Sequence, residues 1–234
     1  MTAFARVCAA LTLLACTAPL QAHAQTAAAP RPFAFSIGAA TDYRSKGISK
    51  SDDEGYAFAA ADWKSRGGLF YAGVAAATVD MAIGASYETD LKVGVRPKAA
   101  GWDLDFMAFY RAFPDSNAGA DDDYVEFRAQ AVRNIGKWNV RLLTWQTPDN
   151  VGAAEASNWS EARLLYKVTP RIRASAALGG HSQDNGPDYA AWNAGVAFDV
   201  APKVELDLRW YDTDGHQFGD RFDGEAVAAL VAKF

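Results

Sequence analysis

Alternation of polar and apolar residues recurs along the chain from residue 33 to the last residue, and no stretch of ten or more residues beyond Pro32 keeps a helical period. In the segment 87–96, every charged side chain falls at an even position, and the odd positions hold Tyr, Thr, Leu and Val. Segments 102–106 and 204–209 repeat the pattern. Because successive side chains of a strand point to opposite faces, this period predicts strands with one polar and one apolar face.

Weaker copies of the alternation predict about twelve strands, each near the length that a tilted membrane strand requires. Composition does not decide the class: the 234 residues are 50% hydrophobic with a net charge of -5, and membrane barrels share such averages with soluble proteins. The predicted strands are 33–44, 56–63, 69–78, 87–96, 102–110, 124–132, 138–145, 158–166, 172–180, 189–198, 203–211 and 224–234.

The links between these strands alternate in length, which is typical of bacterial outer-membrane barrels. Short links fall at 64–68, 97–101, 133–137, 167–171 and 199–203, and their charged residues are Lys and Arg except for Asp199. The longer links between them, at 45–55, 79–86, 111–123, 146–157, 181–188 and 212–223, are rich in Gly, Asp, Asn and Ser. The sequence therefore predicts an all-β fold, a transmembrane antiparallel up-and-down β-barrel with both termini on the periplasmic side.

The first residues resemble an export signal. Arg6 supplies a positive start, an apolar core follows, and Ala22-His23-Ala24 forms a small-x-small cleavage site. We therefore predict a cleaved signal peptide at 1–24, a flexible lead at 25–32 and an outer-membrane barrel at 33–234. A lipobox ending at Cys16 is the alternative. Cys8 and Cys16 both lie in the signal, so the mature chain would have no disulfide and no thiolate.

The end of the chain and the aromatic residues support the barrel. The last segment alternates up to Phe234, and a terminal aromatic residue is typical of substrates of the outer-membrane assembly machinery. Aromatic residues gather near the strand ends, which predicts interfacial girdles. The residues beside the short links are Trp63, Trp102, Trp138 and Tyr166, and those beside the long links are Tyr43, Tyr110, Trp145, Tyr189 and Tyr211.

The polar faces carry charges of both signs, which could coat a hydrated pore or pair across a narrow interior. We predict partial pairing, because eight-stranded barrels are filled by side chains and those of about sixteen strands hold wide channels. Arg128, Arg163 and Arg209 are candidates for a constriction. The predicted pore-lining residues are Glu88, Asp90, Lys92, Asp103, Asp105, Glu126, Arg128, Arg141, Glu161, Arg163, Arg173, Glu205, Asp207 and Arg209.

The long links are acidic, with runs at 52–54 and 121–123. Asp is a common turn former, and the alternative is that these carboxylates bind divalent cations that bridge lipopolysaccharide, or concentrate cationic solutes. The expected partners are outer-membrane lipid and lipopolysaccharide, the assembly machinery and small solutes. The acidic balance argues against nucleic acid, and the sequence indicates neither a cofactor nor a metal site. It leaves the oligomeric state open.

Several segments resemble the TorF family of porins, also described as the Gcw_chp family. They are 36–49 (SIGAATDYRSKGIS), 70–73 (FYAG), the alternating stretch 87–95 and 110–114 (YRAFP). The family pattern more often has Arg at the position of Lys46. The resemblance implies an outer-membrane barrel with a channel role, and it supplies no substrate and no catalytic residues.

We therefore predict a porin-like channel for small hydrophilic solutes or ions, and not an enzyme. A structural or adhesive barrel with a plugged lumen is the first alternative. An outer-membrane acyl hydrolase is less favoured: His181 and His216 fall in long links, but His181 and its neighbour Ser182 would point to opposite faces of a strand. A soluble ligand-binding barrel would need its apolar face inside, and the period alone does not assign the faces.

Overall fold

The computed structural model describes residues 32–151 and 154–234, and the predicted signal peptide, the cleavage site, the Cys16 lipobox and most of the lead lie outside them. The described residues form a barrel of twelve antiparallel strands. The strands are β1 (Phe33–Ala40), β2 (Tyr56–Lys64), β3 (Phe70–Thr78), β4 (Tyr87–Val95), β5 (Trp102–Ala112), β6 (Asp123–Ile135), β7 (Trp138–Thr147), β8 (Ser157–Thr169), β9 (Ile172–Gln183), β10 (Tyr189–Ala201), β11 (Val204–Thr213) and β12 (Glu225–Lys233).

Each strand pairs with the next one, and the ring closes where β12 pairs with β1, from Ser36 opposite Lys233 to Ala40 opposite Ala229. Closure of the ring leaves the barrel without a free edge strand, so the backbone N–H and C=O groups of each strand can form hydrogen bonds with its neighbours. A hydrocarbon environment requires this, because it offers no water as a partner. The predicted fold class, an antiparallel barrel of about twelve strands, is confirmed.

Short turns join the strands at one end of the barrel and longer loops at the other, and we call these the turn end and the loop end. Both described termini lie at the turn end, where the amide of Phe234 donates to the carbonyl of Phe35 at 2.8 Å. Two single-turn 3-10 helices, His216–Phe218 and Asp220–Phe222, lie in the last loop. Among the described residues, no helix is long and apolar enough to cross a membrane.

Strand bounds differ from the prediction at both ends of the barrel. At the loop end, β1 stops at Ala40 and β9 continues to Gln183, and at the turn end several strands are longer than predicted. The hairpin between β6 and β7 leaves only residues 136–137 unpaired, because Ile135 pairs with Trp138. Arg133, Lys167 and Asp199 therefore lie in strands and not in turns. The sequence predicts turns at these three charged residues because polar and apolar positions no longer alternate clearly where the strand ends become polar.

Exposure assigns the two faces. The outward side chains are apolar, with Leu91, Leu178 and Leu230 exposed by 52%, 61% and 50%, whereas inward Glu88 and Glu126 are exposed by 0% and 4%. An apolar outer belt suits lipid and is the reverse of what a soluble ligand-binding barrel needs.

One part of the aromatic prediction is wrong. Near the turn end, Trp138 is nearly half exposed and Tyr166 is partly buried, so both reach the surface as a girdle requires. Their ring centroids are 4.6 Å apart. Near the loop end, Tyr189 and Trp145 instead belong to apolar clusters within the barrel. Trp145 has the same strand parity as Arg141, so both side chains lie on the inward face.

Candidate functional site

The first loop folds into the barrel. In the segment 41–55, a two-rung hairpin pairs Arg44–Ser45 with Ile48–Ser49, and its turn is formed by Lys46 and Gly47 at φ 54° and 92°. We call residues 42–51 the inserted loop. The prediction of an external link at 45–55, after a first strand reaching 44, is wrong because β1 ends at Ala40 and this segment turns inward.

Asp42 organises the hairpin from within. Its carboxylate accepts hydrogen bonds from the hydroxyls of Ser49 at 2.6 Å and Ser51 at 2.8 Å, and it pairs with Arg44. Asp42 is only 2% exposed, so these donors replace the water that a free carboxylate would bind. The loop therefore has a defined shape, held by local polar contacts.

Three walls of the barrel hold the inserted loop. The Lys46 ammonium pairs with Glu126 on β6, the Lys46 carbonyl accepts a hydrogen bond from the hydroxyl of Tyr189 on β10 at 3.0 Å, and Lys50 pairs with Glu88 on β4. Because these strands lie on different sides of the ring, the loop crosses the lumen.

Apolar contacts accompany the ion pairs. Ile48 packs against a buried cluster that contains Trp159, Tyr189, Ala191 and Phe222. On the other side, Tyr43 packs against the cluster of Val79, Ala85 and Phe113. Burial of both side chains adds a hydrophobic contribution that does not depend on charge. The loop is thus anchored by two kinds of interaction.

Glu88 is the centre of a buried charge network. It accepts a hydrogen bond from the Tyr43 hydroxyl at 2.7 Å and lies 2.9 Å from Arg111, which also pairs with Asp90 at 2.8 Å. Burial and, secondly, the charge of Arg111 lower the pKa of Lys50 to about 8, against the opposing effect of Glu88. Burial also raises the pKa of Tyr43 well above its ordinary value. Lys50 is therefore a cation at neutral pH, though only by a small margin.

The inserted loop lies between two cavities. The outer vestibule, of about 540 Å³, is lined by aromatic side chains such as Phe113, Tyr124 and Phe222. The inner chamber, of about 330 Å³, is lined by a larger share of charged side chains. Both cavities share the lining residues Ser45, Lys46, Arg111 and Glu126.

Every predicted pore-lining residue takes part in an ion pair. Glu88, Asp90 and Glu126 lie at the loop end, where Glu88 and Glu126 bind the inserted loop. Arg128 pairs with Asp105, Arg141 and Arg163 approach Glu161, Arg209 pairs with Asp207, Arg173 pairs with Glu205 and Asp199, Lys92 pairs with Asp62, and Asp103 pairs with Lys98. Their role in permeation, including a constriction at Arg128, Arg163 and Arg209, stays a prediction.

Sequence reasoning missed the residues of the inserted loop as part of the site. The available signals were two basic residues, Lys46 and Lys50, among mainly acidic loops, and an apolar Ile48 within a polar link. Such residues in a loop need partners elsewhere in the fold. Those partners, Glu88 and Glu126, were already in the predicted lumen set.

His181 and Ser182 lie in β9 and not in a loop. His181 is inward and buried, its ring stacked on Tyr189 with centroids 4.8 Å apart, whereas Ser182 is exposed. The two side chains therefore do not form a nucleophile and base pair. Among the residues described, no group of three or more His, Cys, Asp or Glu side chains could hold a metal ion.

The barrel is similar to several solved outer-membrane proteins. The KdgM porin aligns with a TM-score of 0.60 at 6% identity, covering 86% of this chain and 98% of the porin. The NanC porin gives 0.55 at 9%, covering 86% and 98%. The COG4313 outer membrane channel from Pseudomonas putida F1 gives 0.54 at 14%, covering 88% and 96%. At these identities the likeness shows the fold.

A search among curated proteins found no match. Residues 24–230 match the family described as "Bacterial protein of unknown function (Gcw_chp)", and the chain belongs to that family.

Proposed function

We propose that this protein is an outer-membrane channel through which small hydrophilic solutes or ions diffuse, with its narrowest region at the inserted loop. The observation that carries the proposal is that two cavities share four lining residues, among them the ion-paired Lys46 and Glu126. A solute passing between the cavities would have to cross this level. The charged inner face offers it polar groups in place of water.

The outer face supports the location. Its large apolar side chains are exposed around the barrel, which lipid would cover and water would not. The fold likeness to outer-membrane porins and channels agrees with this proposal. One of them, the KdgM porin, was solved in complex with disordered oligogalacturonate. We extend to this chain only the general idea of a polar solute in the lumen.

The same proposal includes export and assembly. Export would use the segment 1–24 as a cleaved signal, assembly would use Phe234 at the end of β12, and lipopolysaccharide would contact the loop end. We also propose that the chain is a TorF-type porin with a channel role. Cell fractionation with mass spectrometry of the mature N-terminus tests these steps, and retention in the periplasm would contradict them.

A plugged structural barrel is the second candidate, because the inserted loop is anchored on three walls. Conductance in planar lipid bilayers distinguishes the two functions. A channel gives discrete steps with the wild-type protein, and larger steps when residues 43–51 are replaced by a short Gly-Ser linker. Silence of the wild-type barrel, with steps only after the replacement, would establish the plug and contradict the channel.

A further inference from the structure

We infer that the inner chamber binds small organic carboxylates, an inference about solute class that rests on the proposed channel function. Two acidic residues, Glu126 and Glu161, line this cavity, and its basic lining residues are Arg44, Lys46, Arg111, Arg128 and Arg141. The carboxylates that pair with Arg111 and Arg128, those of Glu88, Asp90 and Asp105, are not among the described lining residues. Basic residues thus outnumber acidic ones on the lining, but Arg44, Lys46, Arg111 and Arg128 each have a carboxylate of their own. The positive charge that is left over is that of Arg141 and Arg163, which share the carboxylate of Glu161, and a low-dielectric wall concentrates its field.

The arrangement of Arg141 and Arg163 points to the position of the anion. The two residues are directly opposite each other on β7 and β8, and like charges in that relationship destabilise a sheet. They share one carboxylate oxygen, Oε1 of Glu161, which lies 2.7 Å from Nη2 of Arg141 and 3.7 Å from Nε of Arg163. A second carboxylate would complete the charge balance.

The arginines near the chamber also lack hydrogen-bond acceptors. Within the described part of the chain, the buried Nε atoms of Arg128, Arg141 and Arg163 have no acceptor. These Nε atoms are themselves covered, but the side chains as a whole are 19%, 27% and 26% exposed, so an anion would approach through their exposed parts. Arg209, by contrast, donates through all three of its nitrogens, to Asp207, Asn193 and Ser175. The three arginines near the chamber thus keep unused capacity to bind an anion.

The remaining lining selects a particular kind of anion. Leu143, Trp145, Trp159 and Phe109 give the chamber an apolar wall beside the guanidinium groups. Trp145 also lies under Arg128, whose guanidinium carbon is 5.2 Å from the ring centroid. A compact inorganic anion could use the arginines but not this wall. An organic acid with one carboxylate and an apolar or aromatic portion uses both.

Isothermal titration calorimetry on the full mature barrel, refolded in detergent micelles, tests the inference with benzoate as the probe. Benzyl alcohol, which has the same ring without the charge, and inorganic phosphate, which has charge without the ring, are the matched comparisons. We expect benzoate to bind more tightly than either. Equal binding of benzyl alcohol, equal or tighter binding of phosphate, or the absence of a benzoate signal would overturn the inference.

Three variants give effects of different sign. Arg141→Gln should weaken benzoate binding about tenfold, as expected for one lost charge-assisted hydrogen bond. Glu161→Gln should tighten it, because the internal competitor for both guanidinium groups is removed, and Arg171→Gln at the turn end should leave it unchanged. Weaker binding by Glu161→Gln would contradict the proposed site. Binding is measured without conductance, so a barrel that conducts without binding benzoate refutes this inference alone, and one that binds without conducting refutes the channel alone.

Discussion

The Lys46 ammonium contacts the carboxylate of Glu126, a residue 80 positions further along the chain and on the wall of β6. Thr147 donates a second hydrogen bond to the same carboxylate at 2.6 Å, so Glu126 is held in place for the lysine. The tip of the inserted loop is therefore fixed among the residues that line both cavities.

Replacement of Lys46 should loosen that tip. Lys46→Gln removes the charge while Tyr189 can still bind the backbone carbonyl, so the loop stays in the lumen but moves more freely. We expect larger and noisier single-channel steps in planar bilayers. Lys46→Arg keeps the charge and is the matched control. Identical conductance of the Gln variant and the wild type would show that this ion pair does not limit the pore.

Lys50 should give the barrel a particular pH dependence. Its pKa is about 8 in the folded state and 10.5 in the unfolded chain, so between these values the unfolded chain binds more protons. The free energy of unfolding should therefore rise with pH from 8 to 9.5, by roughly 1 to 2 kcal/mol. Well below pH 8, where Lys50 is protonated in both states, this contribution is constant.

Urea unfolding in micelles, followed by tryptophan fluorescence at pH 7, 8, 9 and 9.5, measures the effect. Lys50→Met is the comparison, because it lacks the titrating group and should show a flatter pH profile. Tyrosine ionisation in the unfolded chain begins below pH 10 and affects both proteins alike, so the difference between the two profiles reports the contribution of Lys50. A wild-type slope equal to that of Lys50→Met would contradict the assignment.

The sequence predicted the barrel well because strand pairing follows a local period. In the segment 87–96, charge and apolarity alternate without exception, and each inward position is specified by its own chain neighbourhood. The same rule, applied strictly, would also have placed Trp145 in the lumen, because it is four residues from Arg141 in one strand. Residue type alone, an aromatic side chain near a strand end, favoured the interface instead.

The inserted loop was not predictable in this way. Its contacts join residues far apart in sequence, such as Tyr189 and Lys46, which are 143 positions apart. No local period encodes such a contact, and the segment 42–51 has the polar composition of an ordinary external link. Only the closed barrel brings Glu88, Glu126 and Tyr189 to the faces that receive the loop. The site therefore depends on tertiary structure more than the fold does.

Gly47 should be required for the loop to enter. Its φ of 92° suits glycine, and a Cβ at this position would collide with the side chain of Ala191 on β10. Gly47→Val should unseat the hairpin and cost about 1 to 3 kcal/mol of unfolding free energy, with larger conductance steps. Gly55→Ala in the same segment is the control, because its nearest contact would be an ordinary 3.6 Å from the Ala40 carbonyl. Normal conductance and stability in Gly47→Val would contradict the close approach.

The outward face should behave as a lipid-facing surface. Leu91 lies at the middle of β4 with 52% of its surface exposed, flanked by inward Asp90 and Lys92. Leu91→Arg would place a charge in hydrocarbon, so the free energy of unfolding in lipid vesicles should fall by about 2 to 4 kcal/mol. Leu91→Val keeps the site apolar and should change stability much less. Since an arginine on a water-exposed strand would be tolerated, equal stability of the Arg and Val variants would show that water and not lipid covers this face. The order of the two variants in vesicle unfolding therefore tests the membrane location separately from any measurement of conductance.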